Sequence, residues 1–349
     1  GPYMTGLRRV ERTAGERAQG VDVDGRGTLH LETGQMHTVR PLNVDVPLGA
    51  LTAVTGVSGS GKTTLVLESL VPALRAQLAG DALPVHVRDV DTAGISRVNV
   101  IDATPIGVNV RSTVATYSGV LDELRRAFAR TEEAKAAGLK AGAFSYNTGS
   151  LRCPTCDGTG QITLDVQFLP DVDIECTDCR GSRYGAQAHE IRRDGLSLPD
   201  IMAMSVDEAG EAVRGLKKAG ALLETLSGLG LGYLTLGEAT PALSGGEAQR
   251  LKLASEMGRR QEGTLFVFDE PTIGLHPSDV QVLLDVLQRL IDRGATVLVI
   301  EHDLDLIRCA DWVIDMGPGG GIEGGRIVAQ GTPRDIAANE ASVTGRYLR

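Results

Sequence analysis

The chain has 349 residues, 42% of them hydrophobic, enough for one large interrupted domain or two domains around a sizeable core. A formal net charge of -10 excludes a global pull toward nucleic acid, so any DNA contact must come from a local patch, and 3% aromatic residues argue against a surface of many base-stacking rings. No stretch reaches the roughly 18 apolar residues of a membrane span and the first twenty residues hold no apolar signal core, so a cytoplasmic protein without membrane partners is expected.

Residues 1–26, rich in Arg, Glu and Gly, read as a tail or linker. Gly1-Pro2 ahead of Met4 has the look of a protease-cleavage scar, which puts the expected native start at Met4 or further upstream. Alternation over residues 28–31 and 42–47 predicts strands, and residues 51–55 predict a buried strand feeding Gly56-Val57-Ser58-Gly59-Ser60-Gly61-Lys62-Thr63. Helical spacing follows over residues 63–78 and again over 113–148, where Leu121, Leu124 and Phe128 share one face. Cysteines occupy residues 152–184, and 202–229 returns to helical spacing. A helix over 244–259, a strand over 264–270, a helix over 280–293 and a β-branched strand over 295–301 come next. A helix near Asp303, a strand over 312–315 and an extended 326–330 complete an α/β alternation.

Four constellations carry the chemistry. In the glycine-rich loop, Gly56, Ser58, Gly59 and Gly61 free backbone N–H groups to wrap phosphates, with the next helix, beginning at Thr63 and Thr64, pointing its positive end at them. Lys62 neutralises β/γ charge and Thr63 holds Mg²⁺ through its hydroxyl. The bland alternative, a glycine turn, does not need a strand before it and a helix after it. Asp269 ends an apolar strand, from which a carboxylate reaches Mg²⁺. Glu270 then serves as general base; a solvated turn or helix cap is the competing reading of two such acids. His302 follows a strand, where a lone His is more often a simple cap; with Asp269, Glu270 and the stretch 243–247 present it is expected to hydrogen-bond the γ-phosphate of ATP. Ser244, Gly245, Gly246 and Glu247 open another helix whose N-terminus suits a phosphate, and because Lys62 already serves one side of the nucleotide, this end must serve a different site.

The last constellation is metal-binding. Cys153-Pro154-Thr155-Cys156 and Cys176-Thr177-Asp178-Cys179 are two C-x₂-C pairs with 19 residues between them, each followed by x-Gly. Four thiolates at this spacing point to structural Zn²⁺, against buried free thiols or a redox pair. Residues 162–168 and 172–175 alternate around 169–171, so the metal is expected to staple the base of a β-hairpin. Between Arg111 and Arg193 eleven Lys/Arg balance eleven Asp/Glu, leaving this region near neutral while the rest is acidic.

The nucleotide motifs resemble the ABC-type ATPase superfamily, in which two cassettes sandwich two ATPs head to tail. This implies a second cassette as partner, in a homodimer or in a missing N-terminal half. With the cysteine module the resemblance narrows. Residues 52–62, Cys153 to Tyr184 with Phe168-Leu169-Pro170-Asp171, Leu243-Ser244-Gly245-Gly246-Glu247-Ala248-Gln249-Arg250, Asp269-Glu270-Pro271-Thr272, Gly274-Leu275-His276 and Thr344-Gly345-Arg346-Tyr347-Leu348 look like the C-terminal half of the UvrA family, the DNA-damage sensors of the ABC excinuclease. The fold this implies is an α/β ABC-type P-loop cassette, residues 27–115 and 241–349, interrupted by a helical signature region, 116–240, whose zinc module spans 151–184. Its implied activity is ATP-gated binding of damaged or drug-modified duplex DNA, in excision repair or antibiotic self-resistance, with ATP, Mg²⁺ and Zn²⁺ as cofactors. Arg152, Arg180 and Arg183 beside the knuckles, and Phe168 near the hairpin tip, are the expected DNA contacts. Ala103 stands where the family usually has glutamine, which implies slow hydrolysis, and Gly142-Ala143-Phe144 lacks an arginine often found at its second position. No segment matches the domain that docks the excinuclease B subunit. An ABC transporter ATPase and a zinc-mediated protein-interaction ATPase are the alternatives; about 180 residues between P-loop and signature, against roughly 100 without an insertion, disfavour the first.

Overall fold

The apolar runs resolve into strands that crowd the phosphate-loop end of the chain against its C-terminal quarter. The computed structural model describes residues 10, 27–107, 109–164, 172–273, 275 and 277–349. In chain order the strands are β1 (Thr28–Thr33), β2 (Leu42–Pro47), β3 (Leu51–Gly56), β4 (Val87–Asp91), β5 (Arg97–Ile101), β6 (Gln161–Leu164), β7 (Val172–Glu175), β8 (Arg192–Arg193), β9 (Leu196–Ser197), β10 (Thr264–Asp269), β11 (Thr296–Ile300), β12 (Trp312–Gly317) and β13 (Arg326–Gly331).

Two compact units divide the chain, one running to Ala103 and resuming over Arg259–Arg349, the other covering Thr104–Gly258. The first holds a six-stranded sheet in the order β13-β12-β3-β11-β10-β5. Its pairs are parallel except β12 with β13. Every residue of β3 and β11 is buried, which is why both read as unbroken apolar runs rather than alternations. A second sheet, β2-β1-β4, is antiparallel, and its strands β1 and β2 do alternate. Leu29 and Val44 of this sheet share one core with Val54, Leu298 and Ile314 of the large sheet and with Leu65, Leu70 and Leu74 of the helix after the phosphate loop. That helix begins with wider i→i+5 spacing over Thr64–Leu70, where Ser69 Oγ donates to Thr64 O at 2.8 Å, and tightens to α over Val71–Ala79. Strands β4 and β5 have no counterpart among the expected elements: β4 has only two buried positions and β5 one, so neither carries a period-2 or fully apolar signature.

The second unit is built of short helices. Residues 113–148 break into Val114–Tyr117, Val120–Phe128 and Glu132–Ala136, then a single tight turn, Ala141–Phe144. Thr113 and Thr131 cap two of them by accepting from the N3 amide, and each cap restarts what periodicity alone reads as continuous. Leu121, Leu124 and Phe128 are buried together on one face, as expected. β6 and β7 pair as a hairpin from Gln161↔Glu175 to Leu164↔Val172. The helix Gly245–Met257 belongs to this unit, because it packs on Lys217–Leu226 and Val114–Tyr117. The division therefore falls at 103 and 259, where the motifs alone put the boundaries at 115 and 241. Among the described residues, no helix is long and apolar enough to cross a membrane.

Candidate functional site

In the sheet unit, parallel strands deliver their carboxyl ends to one edge, the usual ligand edge of such sheets. β3 ends at Gly56 and releases the phosphate loop there. Lys62 is buried, its Nζ donating to Gly56 O and Val57 O at 3.1 Å each. Burial pulls its pKa below the ordinary lysine value, opposed by the carboxylates of Glu270, Asp269 and Asp315. Thr63 and Ser58 are exposed, Thr64 half-buried, and Ser60 Oγ is buried without a hydrogen-bond partner. The loop is held from behind by residues that no motif flagged. Gly321 N–H donates to Gly59 O and Gly325 N–H to Ser60 O, both at 3.0 Å. A Cβ on Gly320 would lie 2.6 Å from Ser58 O, so the two loops meet backbone to backbone.

Asp269 closes β10, and burial, then Glu270 and Asp102, push its carboxyl above the usual range, with Lys62 opposing. Such a group is ready for a cation that supplies the missing positive charge, and Asp269 with Thr63 fits Mg²⁺ by donor chemistry. Glu270 follows with φ of +46°, a left-handed conformation that a non-glycine residue holds only where its surroundings impose it. Its N–H donates to Ile300 O at 2.9 Å. His302, after β11, places Nε2 3.4 Å from Glu270 Oε1. Lys62, Asp269, Glu270 and His302 thus converge, as a nucleotide site requires. Three further acids join them. Asp102 leaves β5 one step past the Phe268↔Ile101 pair and therefore flanks Asp269. Asp315 on β12 accepts Ser342 Oγ at 2.5 Å and Thr344 Oγ1 at 2.9 Å, and burial raises its carboxyl despite these bonds and Lys62. Glu301 ends the β11 run. Asp102 and Glu301 each directly follow a strand, whereas Asp315 lies inside β12.

In the helical unit, Ser244 caps Gly245–Met257 in a reciprocal box: Ser244 N–H donates to Glu247 Oε2 at 2.6 Å and Glu247 N–H to Ser244 Oγ. Tyr233 OH donates to Glu247 Oε1. Glu247 is thereby occupied in shaping the helix start, leaving Gly245 and Gly246 as the exposed or half-exposed amides.

Cys153, Cys156, Cys176 and Cys179 are buried, with all four sulfurs within 4.8 Å of one another. The closest pairs across the two knuckles, Cys153–Cys176 and Cys156–Cys179, lie 3.9 and 3.6 Å apart. A tetrahedral site with Zn–S near 2.3 Å needs sulfurs about 3.8 Å apart, so the residues fit the ion. Against its burial, N–H groups led by Gly160 bring the Cys156 thiol down to about 7, while burial pushes Cys179 up to about 12. Thr155 Oγ1 donates to Asp178, tying knuckle to knuckle. Gly158 packs so closely on Tyr146 that a Cβ would fall 1.8 Å from its carbonyl oxygen.

The arginines beside the knuckles divide. Arg180 is exposed and, among the described residues, has no ion pair. Arg152 is half-exposed but shares Asp157 with Arg111, at 3.0 and 2.9 Å. Arg183 departs from expectation: it is 7% exposed, its guanidinium stacked 5.3 Å over the Tyr146 ring and donating to Val110 O at 2.9 Å. It braces the module from within and is not on the rim. Phe168 lies outside the described residues.

No family model matches the chain. Curated relatives do: UvrABC system protein A of Synechocystis sp. is 46% identical over 351 residues, covering 100% of this chain and 36% of the relative. The Bacillus subtilis protein of the same name is 46% identical over 352 residues, with the same coverage. The crystal structure of UvrA2 from Deinococcus radiodurans superposes with a TM-score of 0.84 at 45% identity, over 93% of this chain and 39% of that one. The chain belongs to the UvrA family. It spans little more than a third of the length of these relatives. Of the described UvrA-like stretches noted in the sequence, the phosphate loop and Asp269-Glu270 lie at the carboxyl edge of the large sheet, Ser244 to Arg250 at the start of the helix Gly245–Met257, the cysteines in their knuckles, and Thr344 to Leu348 in the helix Val343–Leu348. Ala103 is exposed directly after Asp102. Gly274 and His276 lie outside the described residues.

Proposed function

We propose that this chain is the C-terminal ATPase half of a UvrA-type protein, which hydrolyses MgATP to control its binding to damaged or drug-modified duplex DNA. The observation that carries the reading is the convergence of Lys62, Asp269, Glu270 and His302 on one sheet edge. In this reading Lys62 and the loop amides hold the phosphates, Thr63 and Asp269 hold Mg²⁺, and Glu270 takes a proton from the attacking water. His302 reports the γ-phosphate. Mg²⁺, when bound, supplies Lewis-acid charge stabilisation on the phosphates. Gly245 and Gly246 serve the nucleotide of a second cassette. The Cys₄ module holds Zn²⁺ as a structural staple, and Arg152 and Arg180 offer positive charge to the DNA backbone. The excision-repair context and a partnership with the excinuclease B subunit come from the family alone.

The test is a three-part measurement on the purified chain: metal content, ATP turnover, and gel shift of an adducted against an unmodified duplex. One zinc per chain, Mg²⁺-dependent turnover and ATP-sensitive preference for the adducted duplex are expected. Turnover that is unchanged by Lys62→Ala would overturn the ATPase reading, and equal retention of both duplexes at every nucleotide state would overturn the DNA reading.

A further inference from the structure

Glu301 lies between the acid loop and His302 yet belongs to neither motif. It is 2% exposed, and both oxygens of its carboxylate accept from backbone. Oε1 accepts Thr272 N–H at 2.9 Å; Oε2 accepts His302 N–H at 2.8 Å and Asp303 N–H at 3.1 Å. Thr272 is two residues past Glu270, so a single carboxylate fastens the loop leaving β10 to the loop leaving β11. Its own N–H donates to Val54 O at 3.0 Å, tying the bridge to the strand that releases the phosphate loop.

A buried carboxylate satisfied by three N–H donors is a strong, directional clamp. Glu270 needs one, since its φ of +46° persists only if its neighbours fix it. At 3.4 Å, His302 and Glu270 are not held by each other. Their separation is set through the backbone that Glu301 binds. Resting on the ATPase reading, we propose that Glu301 is a positioning residue: its bridging carboxylate holds the base Glu270 and the phosphate-sensing His302 in one rigid frame, so that both address the same ATP.

Glu301→Gln is the informative variant. The amide has the carboxylate's shape, but whichever way it turns, its NH₂ meets an N–H donor, and one side of the bridge is lost without a cavity. On the full chain, amide hydrogen exchange at Thr272, His302 and Asp303 would be measured with affinity for a fluorescent MgATP analogue, steady-state turnover and thermal stability. Faster exchange at Thr272 or at the 302–303 pair is expected, with analogue affinity within about threefold and kcat lower by roughly 10². Glu301→Asp, still charged but one methylene too short to span both loops, gives the same comparison if the glutamine variant does not fold. Unchanged exchange at all three amides overturns the bridge. Unchanged kcat despite faster exchange, or kcat, affinity and stability falling together, overturns the positioning role in favour of a purely structural one. A wild-type chain that binds no MgATP overturns the ATPase reading and takes the catalytic role with it, whereas loss of protection at Thr272 is read without nucleotide.

Discussion

Glu270 and Asp315 are both carboxylates near Lys62, and they predict opposite responses to the loss of charge. Glu270 is the proposed base, so Glu270→Gln should lower turnover by roughly 10² to 10⁴ while leaving ATP binding in place; turnover and equilibrium binding measured side by side decide this. Asp315 accepts from Ser342 and Thr344, and its carboxyl is raised by burial. The folded state therefore holds its proton more tightly than the unfolded chain, whose value is about 3.9. Stability from this group is present at low pH and is lost as pH rises through the raised folded pKa. Asp315→Asn removes that dependence. Its stability minus that of the wild type should grow as the pH is raised from about 4 toward neutral, by urea unfolding at matched ionic strength. A difference flat with pH would mean that Asp315 is not held protonated by burial.

At the scale of loops and knuckles, the two arginines that follow Cys179 make a second contrast. Arg180→Ala should flatten the salt dependence of duplex affinity by about one unit without altering zinc content. Arg183→Ala should instead cost about 1–3 kcal/mol of stability, because it removes the stack on Tyr146 and leaves Val110 O without its donor. Equal effects of both on the salt slope would put Arg183 on the DNA surface after all. The glycine loop behind the phosphate loop predicts that Gly320→Ala weakens ATP binding roughly tenfold, since its Cβ must displace Ser58 O, while the chain still folds. Titration with a fluorescent ATP analogue would show it. The phosphate loop, Asp269-Glu270 and the cysteine knuckles were legible because each is a short run of neighbouring residues with a telling spacing. Gly320, Glu301 and Asp315 were not, because each acts on a segment tens to hundreds of residues away. Arg183 misread for a related reason: sequence adjacency to Cys179 does not say which side of the knuckle a side chain enters, and Tyr146 takes it inward.

For the whole molecule, strand order in the large sheet was beyond the sequence, although most of its strands were not. Fully apolar β3 and β11 announce burial on both faces, but nothing local says that β3 lies between β11 and β12. If the helix Gly245–Met257 completes the site of another cassette, as proposed, specific ATPase activity should rise with protein concentration until a dimer forms. Turnover measured alongside the sedimentation coefficient tests this, and concentration-independent activity in a demonstrated monomer would remove the two-cassette model. The sheet also has a consequence for how the chain is made. Both neighbours of β3 are encoded downstream of the helical unit, and Gly49 and its partner Thr296 are 247 positions apart. At ribosomal rates of about 5–20 residues per second, the strand that carries the phosphate loop waits on the order of ten to fifty seconds for a partner. During that interval its edges are open to other chains. The helical unit, contiguous from Thr104 to Gly258, can fold meanwhile, so nascent chains would be protected last at the nucleotide site and are most in need of a chaperone there.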